Sequence, residues 1–426
     1  MRRKQERKNT GRGFHLGPLH LAFQVDLFIF SCYHFPSKTH KALSIDVRYK
    51  MDKSILVGNG ININFGGAAY TNGKIIERLT NNLTIDGKYT GVFDNSVSQS
   101  EIAGVVFGLN DVFRKMMKSG VIALRRTEGE DEMRTLIDIS RRYHGKPQDV
   151  LDIGMEDYFF VMKWFNNGYG DSTELSQAGF DGLKWLFLDS IYNGGDIESL
   201  YQRMGKFSSA LQKYNSVYTV NYDTNLDKLV RAGEKVYHLH GNFEELDDTY
   251  KTDTVIGYVA QHKPNPPTVI PAFRHIYCNA IMGYSGAYKL NRMMIYEKSN
   301  WAMEDMIGRL QNQSDDEAQK KYKQLMHSND EKEVNTAAFI SARLEHPELR
   351  NTEYPIKEFS AVSGQLDILG MSPNNDTHIL NMINENPNIK RVVFFYAGSN
   401  DMIAAQKAIK KPLQLRSVFK YWDSLK

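Results

Sequence analysis

Five short β-prone runs are scattered through a chain that otherwise reads largely as helix: SILVG (54–58), SVYTVN (216–221), KVYHLHG (235–241), LDILG (366–370) and RVVFFY (391–396). Most of them lie too far apart for a hairpin. Strands joined by long helical connections pair in parallel, and the helices then cover the sheet. The spacing predicts an α/β fold: a mostly parallel, Rossmann-like sheet with helices on both faces and helical insertions. The insertions fall at about 98–214 and 280–350.

The helical reading is residue by residue. In SQSEIAGVVFGLNDVFRKMMK (98–118), Ile102, Val105, Val106, Leu109, Phe113 and Met116 recur at helical spacing, with Ser98 or Ser100 placed to cap the start. Residues 176–190 and 196–214 give further helices, and Phe180, Trp185 and Phe187 are expected in the core rather than in a ligand cage. The charged stretch from Asn300 to about Arg350 reads as solvated helix, and HKPNPPTVIP (262–271) as a connection that neither a helix nor a central strand tolerates.

Four of the five runs end in small or polar residues with chemistry in them. They are Gly58-Asn59-Gly60, Asn221-Tyr222-Asp223, His240-Gly241 and Gly370-Met371-Ser372. In an open parallel sheet the carboxyl ends of the strands share one rim, where ligands bind. Four separate regions should therefore converge on one site. The first turn can bend tightly and bring backbone amides close to a pyrophosphate, although Ile63 stands where a dinucleotide fingerprint has its last glycine. Alone, it would more often be a simple turn. Asp223 can cap the following helix, which leaves Asn221 unexplained, since an amide suits a strand interior poorly. His240 at a strand end can be an exposed base, whereas His238 alternates to the other face. Gly370 permits close approach, Ser372 can donate a hydrogen bond, and Asp376 can act as a helix cap or as a ribose ligand.

Composition narrows the class. Two cysteines, Cys32 and Cys278, cannot build a disulfide framework or a four-cysteine zinc site, and they fit a reducing cytoplasm. No apolar run approaches the roughly 20 residues of a membrane helix. The formal charge of +3 hides an asymmetry. Residues 1–50 hold ten Lys and Arg against three Asp and Glu, and 43 basic and 47 acidic residues remain for the rest, a charge of −4. A nucleic-acid footprint is not expected on such a body. In the leader, Asp26 interrupts the apolar stretch LHLAFQVDLFIF and no small-residue cleavage site follows, unlike a signal peptide. A basic arm is one alternative. The preferred expectation is a disordered tail or a mis-assigned start, with the functional protein beginning at Met51.

In chain order, Gly58-Asn59-Gly60, N-Y-D (221–223), H-G (240–241) and G-M-S…D (370–376) resemble the sirtuin-like NAD-binding domain. The resemblance is nearest to bacterial sirtuin-like proteins of anti-phage defence, the Thoeris effector and the abortive-infection H family. It implies NAD as the ligand, with Asn221 and His240 as the catalytic pair and Asp223 in support. Gly58, Asn59, Gly60, Asn62, Gly241, Gly370, Ser372 and Asp376 would hold the dinucleotide. Sirtuin deacylases carry a zinc ribbon with two C-x-x-C pairs, which this chain cannot form. Hydrolysis of NAD is therefore the better expectation, without a metal.

The chemistry fits that economy. Nicotinamide leaves from a nitrogen that is already cationic, so no general acid is needed. The remaining oxocarbenium-like centre needs an oriented and activated water. His240 would be the base and Asn221 the orienter. The resemblance further implies a cytoplasmic abortive-infection effector, able to form a homo-oligomer, with a partner ATPase or a phage-derived trigger as the partners it suggests. A non-catalytic nucleotide sensor and an NAD-dependent deacylase are the alternatives.

Overall fold

The computed structural model describes residues 52–93, 98–119, 129–143, 150–169, 174–312 and 314–425, so the leader and Met51 lie outside the described residues. Ile55, Leu56 and Val57 are each fully shielded from solvent. Consecutive strand residues point to opposite faces, so both faces of the sheet are covered at this strand.

That strand, β1 (Lys53–Val57), is joined by β2 (Ser216–Thr219), β3 (Val236–His238), β4 (Gly364–Leu369), β5 (Ile389–Tyr396) and β6 (Leu413–Ser417). All neighbours pair in parallel, in the order β3-β2-β1-β4-β5-β6. The fold is Rossmann-like α/β, as the spacing predicts. Five of the strands coincide with the five runs, and β6 is additional. It is an edge strand, only half-buried and preceded by Pro412, so LQLRS carries neither an apolar run nor a clean alternation.

The connection from β1 to β2 is helical from its first residues. It contains α1 (Gly60–Gly66), α2 (Asn72–Leu83), α3 (Gln99–Ser119), α4 (Glu130–Tyr143), α5 (Met155–Tyr169), α6 (Glu174–Tyr192) and α7 (Gly205–Leu211). Ser98 starts α3 with a reciprocal cap: its hydroxyl accepts from the Glu101 amide at 3.2 Å while its own amide donates to the Glu101 carboxylate at 2.7 Å. Ile102, Val106 and Phe113 are buried as their spacing requires, and Trp185 and Phe187 join the same core. The side chains of Val105, Leu109, Met116 and Phe180 lie outside the described residues.

Between β3 and β4 run α8 (Val255–Gln261), α9 (Gly286–Gln311), α10 (Asp316–Met326), α11 (Glu331–Glu345) and α12 (Ile356–Ser360). After β4 come α13 (Thr377–Glu385), α14 (Ser399–Ala408) and α15 (Val418–Asp423). Helix α9 packs against both α4 and α13, which ties the first insertion to the segment following β4. No described helix is long and apolar enough to cross a membrane.

Candidate functional site

The strand order reverses direction between β1 and β4: from β1 the chain builds outward to β2 and β3, and from β4 outward to β5 and β6. The two turns that leave these strands therefore diverge, and a crevice opens between them. Here the turns are also fastened together. The Gly58 amide donates to the Leu369 carbonyl at 2.9 Å and the Gly60 amide to the Gly370 carbonyl at 2.7 Å. A Cβ on Gly60 would sit 2.6 Å from the Gly370 Cα, and Gly370 has φ +71° with the Ile61 amide nitrogen 2.9 Å from its own would-be Cβ. Glycine is required at both positions because two backbones touch there. The Gly60 and Ile61 amides are thereby engaged, the latter with the Gly58 carbonyl at 3.2 Å, and neither is free for a phosphate as the sequence suggests.

Above this seam lies a cleft of about 550 Å³, within the roughly 300–1,000 Å³ of small-molecule sites. Every candidate residue except Gly241 lines it: Gly58, Asn59, Gly60 and Asn62 after β1, Asn221 and Asp223 after β2, His240 after β3, and Gly370, Ser372 and Asp376 after β4. The predicted convergence of four strand ends is present. Gly241 instead turns the chain at φ +80° against Asn279, whose carbonyl would lie 2.5 Å from an added Cβ.

Asp223 is a clamp. It is buried and accepts hydrogen bonds from Asn62 Nδ2 at 2.6 Å, from Asn225 Nδ2 at 2.6 Å and from the Asn225 amide at 3.2 Å. It thus joins the β1 and β2 turns, and burial raises its pKa even though the Asn62 amide pulls it down. Two polar atoms beside it are buried without a hydrogen-bond partner among the described residues: Asn221 Nδ2, a donor, and Asn62 Oδ1, an acceptor. Buried amide groups are nearly always partnered, so a donor and an acceptor left open on the floor of a cleft are what a polar ligand would satisfy. His238 faces away, within 2.9 Å of Asp227 Oδ2 and 3.3 Å of the Asn221 carbonyl, and so holds the backbone of the N-Y-D turn in place.

His240 is almost completely buried, and its Nε2 lies 3.0 Å from Nε2 of His378 on α13. The rings are inclined by 22° with centroids 5.1 Å apart, so they meet through these nitrogens. One imidazole must donate and the other accept. Burial and the nearby Lys289 ammonium hold both pKa values well below the usual histidine range. Behind them, fully buried Lys289 of α9 pairs with Glu156 of α5, and the Tyr222 hydroxyl donates to Glu156 at 2.6 Å. Nitrogen and oxygen atoms of His240, His378 and Asp376 lie within 4.8 Å of one another. That spacing would reach a single ion, and the same two ring nitrogens are close enough to share a proton.

Glu156, Lys289 and His378 are absent from the sequence reading. A lysine in the first turns of a charged helix reads as solvated, and only its burial against Glu156 of α5 reveals otherwise. His378 stands within the GMSPNNDTHIL segment, but neither its neighbour spacing nor its composition singles it out.

Fold and site together define a Rossmann-like α/β protein with a polar cleft at the reversal point of its sheet. Compared with protein-family models, curated proteins and solved structures, the chain matches none.

Proposed function

We propose that the protein is an NAD glycohydrolase that releases nicotinamide from NAD. The observation that carries the reading is the Asn221 amide, without a partner among the described residues, lining with His240 and Asp376 a cleft at the point where Rossmann-like sheets bind dinucleotides. The motif order that resembles sirtuin-like defence proteins supports it. So does the chemistry, which asks for an orienting amide and a proton acceptor and nothing else from the protein. In this reading Asn221 holds water and ribose, the Gly58 and Gly370 turns flank the pyrophosphate, and the open Asn62 carbonyl accepts from a ribose hydroxyl. The resemblance extends the proposal to a cytoplasmic abortive-infection effector, assembled as a homo-oligomer, whose basal cleavage by the chain alone is raised by a partner ATPase or a phage-derived signal.

The test is chromatographic. The full chain incubated with NAD should produce nicotinamide and ADP-ribose in equal amounts, and Asn221→Ala should lose the activity by about 10²-fold or more. A chain that binds NAD tightly in a calorimetric titration but never cleaves it would make the protein a nucleotide sensor. A chain that releases nicotinamide only with an acyl-lysine peptide would make it a deacylase.

A further inference from the structure

Asp376 occupies the N-cap position of α13, yet its side chain accepts no capping hydrogen bond. The carboxylate lines the cleft and is about nine-tenths shielded. Around it stand two other carboxylates and two cations. Glu156 is paired with Lys289. Asp157, also on α5, is paired with Arg142 of α4 at 2.8 Å and accepts from Tyr143 at 2.9 Å and Ser285 at 2.5 Å. Each cation is thus committed to a partner, and among the described residues Asp376 has no ion-pair or hydrogen-bond partner for its carboxylate. Burial disfavours a charge on the remaining ionisable neighbours, His240, His378 and Tyr222.

Burial first, and then the Glu156 charge, push the Asp376 pKa up to about 7. A carboxylate with that affinity for a proton, open to the cleft, can accept one from substrate and return it to solvent. His240 is the poorer acceptor. Its Nε2 is already bound to His378, and the buried ammonium opposes a further positive charge.

We propose, resting on the glycohydrolase reading, that Asp376 is the general base of the cleavage and that His378 is a positioning residue fixing His240 as a neutral wall of the site. The bond from the ribose anomeric carbon to nicotinamide breaks, and its electron pair neutralises the pyridinium ring. Water forms the new carbon–oxygen bond and gives its proton to the Asp376 carboxylate, which releases it through the cleft. ADP-ribose, nicotinamide and one proton result.

The experiment is the pH profile of nicotinamide release by the full chain and by Asp376→Asn, Asp376→Glu and His378→Gln, each checked for folding by circular dichroism and for NAD binding by calorimetry. The unsubstituted chain should lose kcat as pH falls through about 7. Asp376→Asn should bind NAD, lose about 10²–10⁴-fold in kcat and lose that limb of the profile. Asp376→Glu should restore part of the rate with a displaced limb, and His378→Gln should lower kcat with little change in KM. Full activity with an unchanged limb in Asp376→Asn overturns the base assignment alone. No cleavage by the unsubstituted chain at any pH overturns the hydrolase reading and the base assignment with it. Stoichiometric zinc that is lost in His378→Gln also overturns the assignment, by making the cluster a metal site.

Discussion

Asp223 and Asp376 look alike in sequence and do opposite things in the structure. Each follows a strand and an asparagine-containing turn, at a position where an acidic residue commonly caps a helix. Asp223 uses its oxygens to hold Asn62 and Asn225, and so binds the β1 turn to the β2 turn. Asp376 holds no donor among the described residues and lines the cleft. Both are buried and both have raised pKa values, so burial alone does not separate them. What separates them is whether the surrounding donors are directed at the carboxylate. On the first side of the cleft the Asp223 carboxylate is saturated with hydrogen bonds and acts as scaffold. The second keeps an unmatched acceptor next to a neutral His–His pair, which is the arrangement of a reactive site.

The largest effect expected is on the seam that sets the two sides relative to each other. Gly370→Ala combines a left-handed backbone, costing about 1–2 kcal/mol, with a collision against the β1 turn, costing about 1–3 kcal/mol. The account expects loss of soluble protein or a Tm lower by several degrees. A Gly370→Ala protein as stable as the parent would mean that the turns are not in contact.

Next in size is the contrast itself. Asp223→Ala leaves the Asn62 and Asn225 donors buried without an acceptor and should cost about 2–4 kcal/mol. Asp376→Asn should cost no stability while abolishing turnover. Equal destabilisation by the two substitutions, measured by thermal unfolding, would erase the distinction.

This difference is only partly legible in the sequence. The strands at 54–58, 216–221, 235–241, 366–370 and 391–396 are visible because central parallel strands are continuous apolar runs, and the convergence of their ends follows from topology. Strand β6 is hidden by its half-exposed edge position. The cap position of Asp376 is readable, but not the missing cap bond, which depends on where α4, α5 and α9 bring their charges. Lys289 is the clearest case: it is buried where it pairs with Glu156 of α5, a residue far away in the chain.

A smaller effect sharpens the comparison through pH. With a folded pKa near 7 against an ordinary 3.8, Asp376 contributes stability that is full below about pH 4 and lost as pH rises through about 7. The His240–His378 pair has the reverse sign. Its depressed values give stability that is present above about pH 6.5 and lost as pH falls. Asp376→Asn removes the carboxylate contribution while both rings stay in place. The variant should match the parent near pH 4 and exceed its Tm by about 2 °C or more near pH 8. A Tm difference that does not change with pH would mean that Asp376 ionises as an ordinary surface acid.

The central claim is that the cleft between the β1 and β4 turns takes NAD and breaks its nicotinamide bond. A proton NMR time course of NAD with the full chain, run with saturation transfer, reads binding and cleavage together. The account predicts saturation of the adenine and nicotinamide resonances, followed by growth of free nicotinamide signals that Asn221→Ala abolishes. NAD resonances that neither saturate nor change over the course of the experiment would contradict it.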